Sequence, residues 1–351
     1  MTLAIKRYLR PDQVRELSLV LLIVLVFIFF ATQIENYFSP RIFNRIAADV
    51  AIVTVVAVGE ALVLLTRNYD LSVGAIVGFT AYFVGTALAG NPDIAPPVAI
   101  VLAVAMGGVM GAVNGALVAW GKVPSIIVTF GTLAIFRALL VELSGAKTVT
   151  TDSMPQWVID LPQLTFFSIA GIDVRPMVLI ALGVVVLFAT ILRYLPFGRR
   201  LYAIGSNPEA ARIGGLPAGR MVFIAYVICG ALAGLGGFMF LVRFGNITVV
   251  AAQGLEIQVI AAAVVGGIST NGGSGTMIGV LLGAFLINLL QQSLLRWLQI
   301  SEFWVDAFLG MLILVAVTVD LVLMNRLRSW WGHSSQDMDL DEAAGGGDDA
   351  R

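Results

Sequence analysis

The chain has 351 residues, of which 59% are hydrophobic and only 12% are charged, and its mean hydropathy is +0.94. Soluble domains carry about 25% charged residues, so this composition excludes a soluble protein and places most of the chain in a membrane. One cysteine, Cys229, excludes a disulfide framework, and one histidine, His333, argues against a histidine-based metal site or catalytic triad. The net charge of −1 gives no indication of a nucleic-acid partner.

The apolar segments predict about ten membrane-spanning helices, because a helix needs about 20 mainly apolar residues to cross a bilayer. The segments are 17–34, 46–65, 71–90, 95–118, 126–143, 177–195, 221–241, 255–268, 277–295 and 303–324. We therefore predict an all-α integral membrane protein with one membrane domain at 17–328, after a short cytoplasmic N-terminus at 1–16. The acidic, glycine-containing stretch 329–351 has the composition of a disordered cytoplasmic tail.

The basic residues predict the orientation of the chain. The first apolar run follows a basic stretch but precedes no small-residue cleavage site, so we interpret it as an uncleaved span. With the N-terminus inside, most of the 21 Lys and Arg residues fall on the cytoplasmic side, as the positive-inside rule requires. Both termini and the polar segment 197–217 are then predicted to be cytoplasmic.

Polar residues in the second to fifth spans are functional candidates, because ionisable groups inside spans are costly. Asp70 or Ser72 has an ordinary interpretation as the N-cap of the third span. Glu60 has no such explanation, and it requires a partner or a wet cavity. Asn114 lies among glycines, where either an interhelical hydrogen bond or a pathway role is open, and Thr129 either bonds to its own helix or lines a pathway.

The segment 197–217 carries signals for a short helix between two spans. Asn207 is suited to an N-cap, Pro208 to the first helical position and Glu209 to the first turn, and Gly214 ends the pattern. An ordinary cytoplasmic loop is the alternative. The eighth span is short and runs into the glycine-rich stretch 266–275, which is typical of transporter segments whose irregular backbone lines a cavity.

Motifs for chemistry are missing from the sequence. There is no Gly-x-x-x-x-Gly-Lys-Ser/Thr for ATP, no His-Glu-x-x-His for a metal and no Gly-x-Ser-x-Gly nucleophile elbow. We therefore predict no enzyme activity, no metal site and no nucleotide bound by this chain.

Four stretches resemble the permeases of the ATP-binding-cassette (ABC) importers of ribose, xylose, rhamnose and autoinducer-2. They are Leu65–Gly74, Asn114-Gly115 together with Val123–Ile126, Glu209-Ala210-Ala211 followed by Gly214, and Val265–Thr276. The family pattern Asp-Leu-Ser-Val-Gly is matched fully by Asp70–Gly74. These stretches are spread over most of the membrane portion of the chain.

The resemblance implies the function and partners of the chain. Two permease chains, identical or paired with a sister, would enclose one pathway for a sugar or sugar-like solute in a bacterial inner membrane. Cytoplasmic ATPase subunits, which carry the ATP, would dock on a coupling helix in 197–217, and an extracytoplasmic binding protein would deliver the solute. The implied residues are Glu209, Ala210, Ala211 and Gly214 for coupling, Asn114, Thr129, Phe136 and Glu60 for the pathway, and Asp70, Ser72, Gly74, Gly266 and Gly267 for structure.

Three other classes remain open at this stage. In an ion- or proton-coupled secondary transporter, Glu60 and Asp70 would form a proton relay and no ATPase would be needed. A passive channel would use the broken eighth span. An intramembrane enzyme lacks its nucleophile and metal patterns. None of these classes predicts the Glu-Ala-Ala segment.

Overall fold

The computed structural model describes residues 11–298, apart from 38 and 170, and beyond them only positions 304, 307, 308, 310, 311, 314 and 318. Of the predicted tenth span at 303–324 only these single positions are described. The acidic tail at 329–351 and the first ten residues lie outside the described part of the chain.

The described chain is mainly helical, which confirms the predicted fold class. Its helices are α1 Pro11–Gln33, α2 Pro40–Leu65, α3 Val73–Gly90, α4 Pro96–Ala119, α5 Ser125–Ser144, α6 Gln156–Asp160, α7 Pro176–Tyr194, α8 Pro196–Ser206, α9 Pro208–Ile213, α10 Ala218–Phe244, α11 Leu255–Val265 and α12 Met277–Leu298. Eight of them are long and apolar enough to cross a membrane, and α11 is shorter. Nine of the ten predicted spans therefore appear as helices among the described residues. The tenth lies in a part of the chain that is described only at single positions.

The connection between α5 and α7 is the longest non-spanning stretch. It contains α6, two single 3₁₀ turns at Thr151–Ser153 and Leu161–Gln163, and an antiparallel hairpin of β1 Phe167–Ile169 and β2 Ile172–Val174. Phe167 pairs with Val174 and Ser168 with Asp173. This connection therefore holds a short helix and a hairpin outside the spanning helices.

The central helix of the bundle is α2. The most apolar window of α2 is 94% buried, whereas the corresponding window of α1 is 11% buried and those of α4, α5 and α7 are 28% buried. The most extensive helix contact among the described residues is between α10 and α4, where Gly107 and Gly111 lie against Gly230 and Gly234 so tightly that an added Cβ would overlap the facing backbone. Small residues allow this approach, which is how helices associate without a hydrophobic driving force in lipid.

The eighth predicted span is a half-length helix with irregular backbone at both ends. Its helix, α11, has 11 residues and is about 16 Å long at 1.5 Å per residue, roughly half a membrane. Residues 245–254 lead into it, and the guanidinium of Arg137 donates to the carbonyl oxygen of Ala251 in that stretch. The glycine stretch 266–275 follows it. The predicted glycine break is confirmed, and the irregular stretch before the helix is an addition.

Candidate functional site

The polar segment 196–217 folds into two helices. The predicted short helix is α9, and its cap is confirmed because Oδ1 of Asn207 accepts a hydrogen bond from the Ala210 amide at 3.0 Å. The preceding helix α8 was not predicted. It is amphipathic and buries Leu201 and Ile204, while Arg199 and Arg200 stay exposed.

The surface of α9 combines one anchored residue with an exposed face. Ala211 is buried, whereas Glu209 and Arg212 are exposed and form an ion pair of 2.7 Å between Arg212 Nη2 and Glu209 Oε1. Ile213 is 78% exposed. The helix ends at Gly214, whose amide donates to the carbonyl oxygen of Ala210. The outward face of α9 therefore carries one charge pair and one exposed apolar side chain.

Arg67 joins the α8–α9 pair to the membrane bundle. Its Nε donates to the carbonyl oxygen of Gly205 at 2.5 Å, and its Nη2 donates to that of Ser206 at 2.8 Å. Ser206 directly precedes the cap residue of α9. Arg67 itself has φ +65°, a left-handed conformation that non-glycine residues adopt rarely and that aims its side chain at α8.

The glycine stretch 266–275 completes a three-way contact that we name the junction, formed by Leu65–Arg67, Gly205–Ser206 and 272–275. The Gly273 amide donates to the carbonyl oxygen of Leu65 at 3.0 Å. Tyr202 donates through its hydroxyl to the carbonyl oxygen of Gly275 at 2.8 Å. Backbone meets backbone here, since a Cβ on Gly205 would overlap Leu65 and the Gly273 amide.

The first turns of α1 contact the same glycine stretch. Nη1 of Arg15 donates to the carbonyl oxygen of Gly267 at 2.9 Å, and Thr276 donates to the carboxylate of Glu16 at 2.6 Å. Gly266 packs against Gly279 of α12 without room for a side chain. Of the predicted structural glycines in this stretch, Gly266 therefore meets the backbone of α12 and Gly267 meets the side chain of Arg15.

The Asp-Leu-Ser-Val-Gly pattern forms a buried polar cluster. Oδ1 of Asp70 accepts hydrogen bonds from the amide of Ser72 at 2.9 Å and from its hydroxyl at 2.6 Å. Asn114 donates to the Ser72 hydroxyl oxygen at 2.8 Å and lies within 3.4 Å of the Asp70 carboxylate. Asn114 was predicted to bond to another helix or to line a pathway, and its side chain bonds to the connection between α2 and α3. Ser72 makes no side-chain cap to α3, so the N-cap interpretation is replaced by this tight turn.

Glu60 was predicted to need a partner or a wet cavity, and its carboxylate has a hydrogen-bond partner in the Asp70 amide. Its Oε1 accepts a hydrogen bond from the Asp70 amide at 3.1 Å, and the thiol of Cys229 lies 3.9 Å from Oε2. Glu60, Asp70, Ser72 and Asn114 are all fully buried. Burial raises the pKa of the Asp70 carboxyl, in the connection between α2 and α3, while the bonds from Ser72 and Asn114 lower it. Gly74 is the last residue of the motif. A Cβ at this position would overlap the Glu256 carboxylate.

The remaining predicted pathway residues are also enclosed. Thr129 donates to the carbonyl oxygen of Ser125 in its own helix at 2.9 Å, as one of its two interpretations expected. Phe136 belongs to the main apolar core. The structure thus brings Glu60 and Asn114 together, and Thr129 joins them through Tyr69, whose carbonyl oxygen it approaches at 3.4 Å. Phe136 stands apart.

A cavity of about 400 Å³ lies beside the irregular stretch 245–254, and the sequence analysis missed it. Its polar lining is Asp49, Gln253, Gln258, Asn288, Gln291 and Gln292, and two aromatic rings, Phe240 and Phe244, border it. Asp49 joins three helices, since its carboxylate pairs with Arg243 at 3.2 Å and accepts from Gln292 at 3.1 Å. The sequence could have indicated this cavity through polar residues inside predicted spans, namely Asp49 in the second span and Asn288, Gln291 and Gln292 in the ninth.

Irregular backbone beside a polar cavity is the arrangement with which membrane transporters build solute sites, so the fold and the site define a multi-pass transport permease. The family comparison is more specific. The model described as "Branched-chain amino acid transport system / permease component" matches residues 42–317, and the chain belongs to this family. No solved structure matches the chain significantly.

Curated relatives cover most of the chain. The autoinducer 2 import system permease protein LsrC of Salmonella typhi is 35% identical over 306 residues, which are 87% of this chain and 85% of the relative. The LsrC proteins of Yersinia pestis (strain Pestoides F) and Escherichia coli O9:H4 (strain HS) are 36% and 34% identical over the same share of this chain, and 84% and 86% of their own lengths are covered.

These matches confirm the resemblance drawn from the four motifs. The chain is a permease subunit of an ABC importer, a non-catalytic component, and a multi-pass protein of the bacterial inner membrane. Membership of this class implies ATP-binding and solute-binding partners in general terms.

Proposed function

We propose that this chain carries a sugar or sugar-like solute into the cell by alternating access, driven by ATP that separate subunits bind and hydrolyse. The observation that carries the proposal is the junction, in which the exposed helix α9 is tied through Arg67 to the membrane bundle. The relatives described above are autoinducer 2 import permeases, which supports a sugar-like solute.

The ATPase contact is proposed to be the exposed face of α9. Glu209, Ala210 and Ile213 are exposed there, while Ala211 packs on the chain and Gly214 ends the helix. A partner that covers this face gains apolar area from Ile213 and a charge contact at Glu209. The helix is only six residues long, so a partner moves it as one rigid piece.

Movement of α9 is proposed to reach the spans through the junction. Ser206 and Gly205 precede α9 and are held by Arg67, and the connection that contains Arg67 continues directly into Asp70 and Ser72. Because Asn114 of α4 and Glu60 of α2 bond to that connection, a shift of α9 pulls on the ends of three spanning helices. The Arg67 guanidinium and the backbone bond from Gly273 to Leu65 would transmit such shifts as a contiguous hydrogen-bonded network.

The solute is proposed to meet the polar cavity first. Sugars carry many hydroxyl groups, and amide side chains offer both donors and acceptors to them while aromatic rings cover their apolar faces. Gln253, Gln258 and Gln291 line the cavity and make no side-chain hydrogen bond within the described residues. Glu60, Asn114, Thr129 and Phe136 stay proposed pathway residues for a conformation that opens toward the junction.

The proposed assembly has two permease chains, cytoplasmic ATPases and an extracytoplasmic binding protein, with both termini of this chain in the cytoplasm. Exposed apolar residues on α4 and α5, such as Val101, Val109, Ile127 and Phe130, support a second permease chain or lipid on that side. The excess of basic residues around 197–217 supports the cytoplasmic placement of α9.

Copurification from the native membrane tests the proposal. A tagged chain is expected to bring a stoichiometric Walker-motif ATPase, which deletion of residues 206–216 removes while leaving the chain in the membrane. Uptake of autoinducer 2 and of a monosaccharide panel into vesicles then requires ATP. A chain that purifies alone and takes up solute on a proton gradient without ATP would establish the secondary-transporter alternative instead.

A further inference from the structure

A second cavity of about 400 Å³ lies at the end of the bundle opposite α9. It is lined by Arg41, Asn44, Arg45, Arg175 and Arg243, and we name it the arginine pocket. Four of its five lining residues are arginines. Two of them come from the first two turns of α2, one precedes α7 and one is in the last turn of α10.

The positive charge of the arginine pocket is only partly neutralised. Within the described residues, Arg243 pairs with Asp49 at 3.2 Å and Arg175 with Asp173 at 3.4 Å, and neither Arg41 nor Arg45 has a carboxylate within ion-pair distance. Arg41 and Arg45 are also four positions apart on one helix, where like charges repel. The pocket therefore holds four guanidinium groups against two carboxylates.

One arginine of the pocket has an unused donor. Nε of Arg175 is buried and makes no hydrogen bond within the described part of the chain, although its Nη1 donates to the carbonyl oxygen of Pro162. A buried donor without a partner costs free energy unless something binds it.

The wall of the pocket is held in place before any ligand binds. Asn44 donates to the carboxylate of Asp173 at 2.9 Å, and the Asp173 amide donates back to the Asn44 side chain at 2.8 Å. This reciprocal pair fixes the hairpin that leads to Arg175 against the start of α2, which carries Arg41 and Arg45. A preorganised site loses less free energy to ordering when it binds.

We propose that the arginine pocket binds the oxyanion of a small soluble ligand, a carboxylate or a phosphate. Guanidinium groups match such anions with two parallel hydrogen bonds, and clustered arginines favour them over neutral solutes. The pocket adjoins the polar cavity, because the Arg243–Asp49 ion pair has one residue in each lining. An acidic sugar derivative, with its anion at the arginines and its hydroxyl groups toward the cavity, is the fitting ligand class; this last step rests on the proposed function.

Binding to the full chain in nanodiscs of neutral phosphatidylcholine tests the anion site without ATP or partner subunits. The probes are inorganic phosphate and glucose 6-phosphate, compared with glucose and chloride at constant ionic strength, measured by calorimetry. The two phosphates are expected to bind saturably, and the double variant Arg41→Gln/Arg45→Gln is expected to bind them at least about ten-fold more weakly. The matched control is Arg199→Gln/Arg200→Gln, which removes two exposed charges at the other end.

Three results would overturn the anion site: no phosphate binding by the unaltered chain, equal weakening in the control, or full affinity in the Arg41/Arg45 double variant. If that variant misfolds, Arg41→Lys/Arg45→Lys keeps the charges but removes the paired donors, and unchanged phosphate affinity in it would also count against the proposal. Adding phosphatidylglycerol distinguishes the source of the anion, since competition by that lipid at equal phosphate concentration would assign the pocket to a headgroup and contradict a soluble ligand. Because no ATPase takes part, failure here is distinct from failure of the importer assignment.

Discussion

Arg67 donates through Nε to the carbonyl oxygen of Gly205 at 2.5 Å, across a separation of 138 residues. This bond joins the end of a central spanning helix to the residues directly before α9. Since Arg67 also donates to Ser206, one guanidinium holds two consecutive carbonyl groups in a fixed geometry. It is the most direct link in the described structure between the exposed helix and the polar cluster.

Replacing Arg67 by alanine is expected to uncouple ATP hydrolysis from transport. In the reconstituted complex, ATPase activity should persist while solute moved per ATP falls about ten-fold, because α9 still binds its partner but no longer pulls on the bundle. The measurement is ATP hydrolysis and uptake in the same proteoliposomes. Arg200→Ala, an exposed arginine on α8, is the control, and an unchanged ratio in the Arg67 variant would argue against the link.

The charge reversal Glu209→Lys is expected to remove the copurifying ATPase without affecting membrane insertion. Glu209 is exposed and its ion pair with Arg212 is on the surface, so the pair adds only about 0–1 kcal/mol to stability. The expected loss is therefore one of binding. Affinity purification followed by subunit quantification measures it, with Asp93→Lys, an exposed acid outside this segment, as the control. Normal uptake by the Glu209 variant would refute the assignment of α9.

Asn114→Leu is expected to destabilise the protein. The variant leaves the Asp70 carboxylate and the Ser72 hydroxyl fully buried with one donor fewer, and an unsatisfied buried group costs about 1–3 kcal/mol. Thermal unfolding of the purified protein in detergent should show a lower midpoint. Thr190→Ala, which removes an exposed hydroxyl bonded within its own helix, should leave the midpoint in place. Equal midpoints for both variants would contradict the cluster.

Gly273→Ala is expected to separate the junction. Gly273 has φ +73° and a Cβ there would overlap the backbone of Ser206, so the substitution combines strain with a clash. Transport should fall well below one tenth while the chain still reaches the membrane. Gly131→Ala has open space around its Cβ and improves helix propensity, so it should be neutral. Uptake assays with membrane quantification compare the two, and full activity of the Gly273 variant would exclude a tight junction.

Asp49→Asn is expected to reduce uptake more than stability. The amide keeps the size of the side chain but removes the charge that pairs with Arg243, at the point where the polar cavity meets the arginine pocket. Uptake rates over a range of solute concentrations should show a changed apparent affinity. Asp160→Asn, an acid outside the cavity lining, is the control. Identical uptake curves for unaltered chain and Asp49 variant would exclude this residue from the pathway.

Local signals in the sequence determined the helical membrane fold and the position of the short helix α9, which we propose as the partner contact. Runs of about 20 apolar residues can satisfy their backbone in lipid only as helices, so the positions of these runs along the chain predict the positions of the spans. The start of α9 could also be predicted from the sequence, because its N-cap residue, its proline and its acidic first-turn residue are local signals within four positions. The helix α8 was missed because its short amphipathic pattern lies inside a basic stretch that reads as a loop.

Only the tertiary structure decided which distant residues meet. Arg67 with Gly205 and Asp49 with Arg243 are pairs whose spacing follows from how helices pack, and no local pattern encodes a separation of 138 or 194 residues. The cavity at 245–258 likewise depends on α2, α10 and α12 meeting around irregular backbone. Polar residues in spans mark candidates for such sites, but the packing of small residues at helix contacts determines which of them become neighbours.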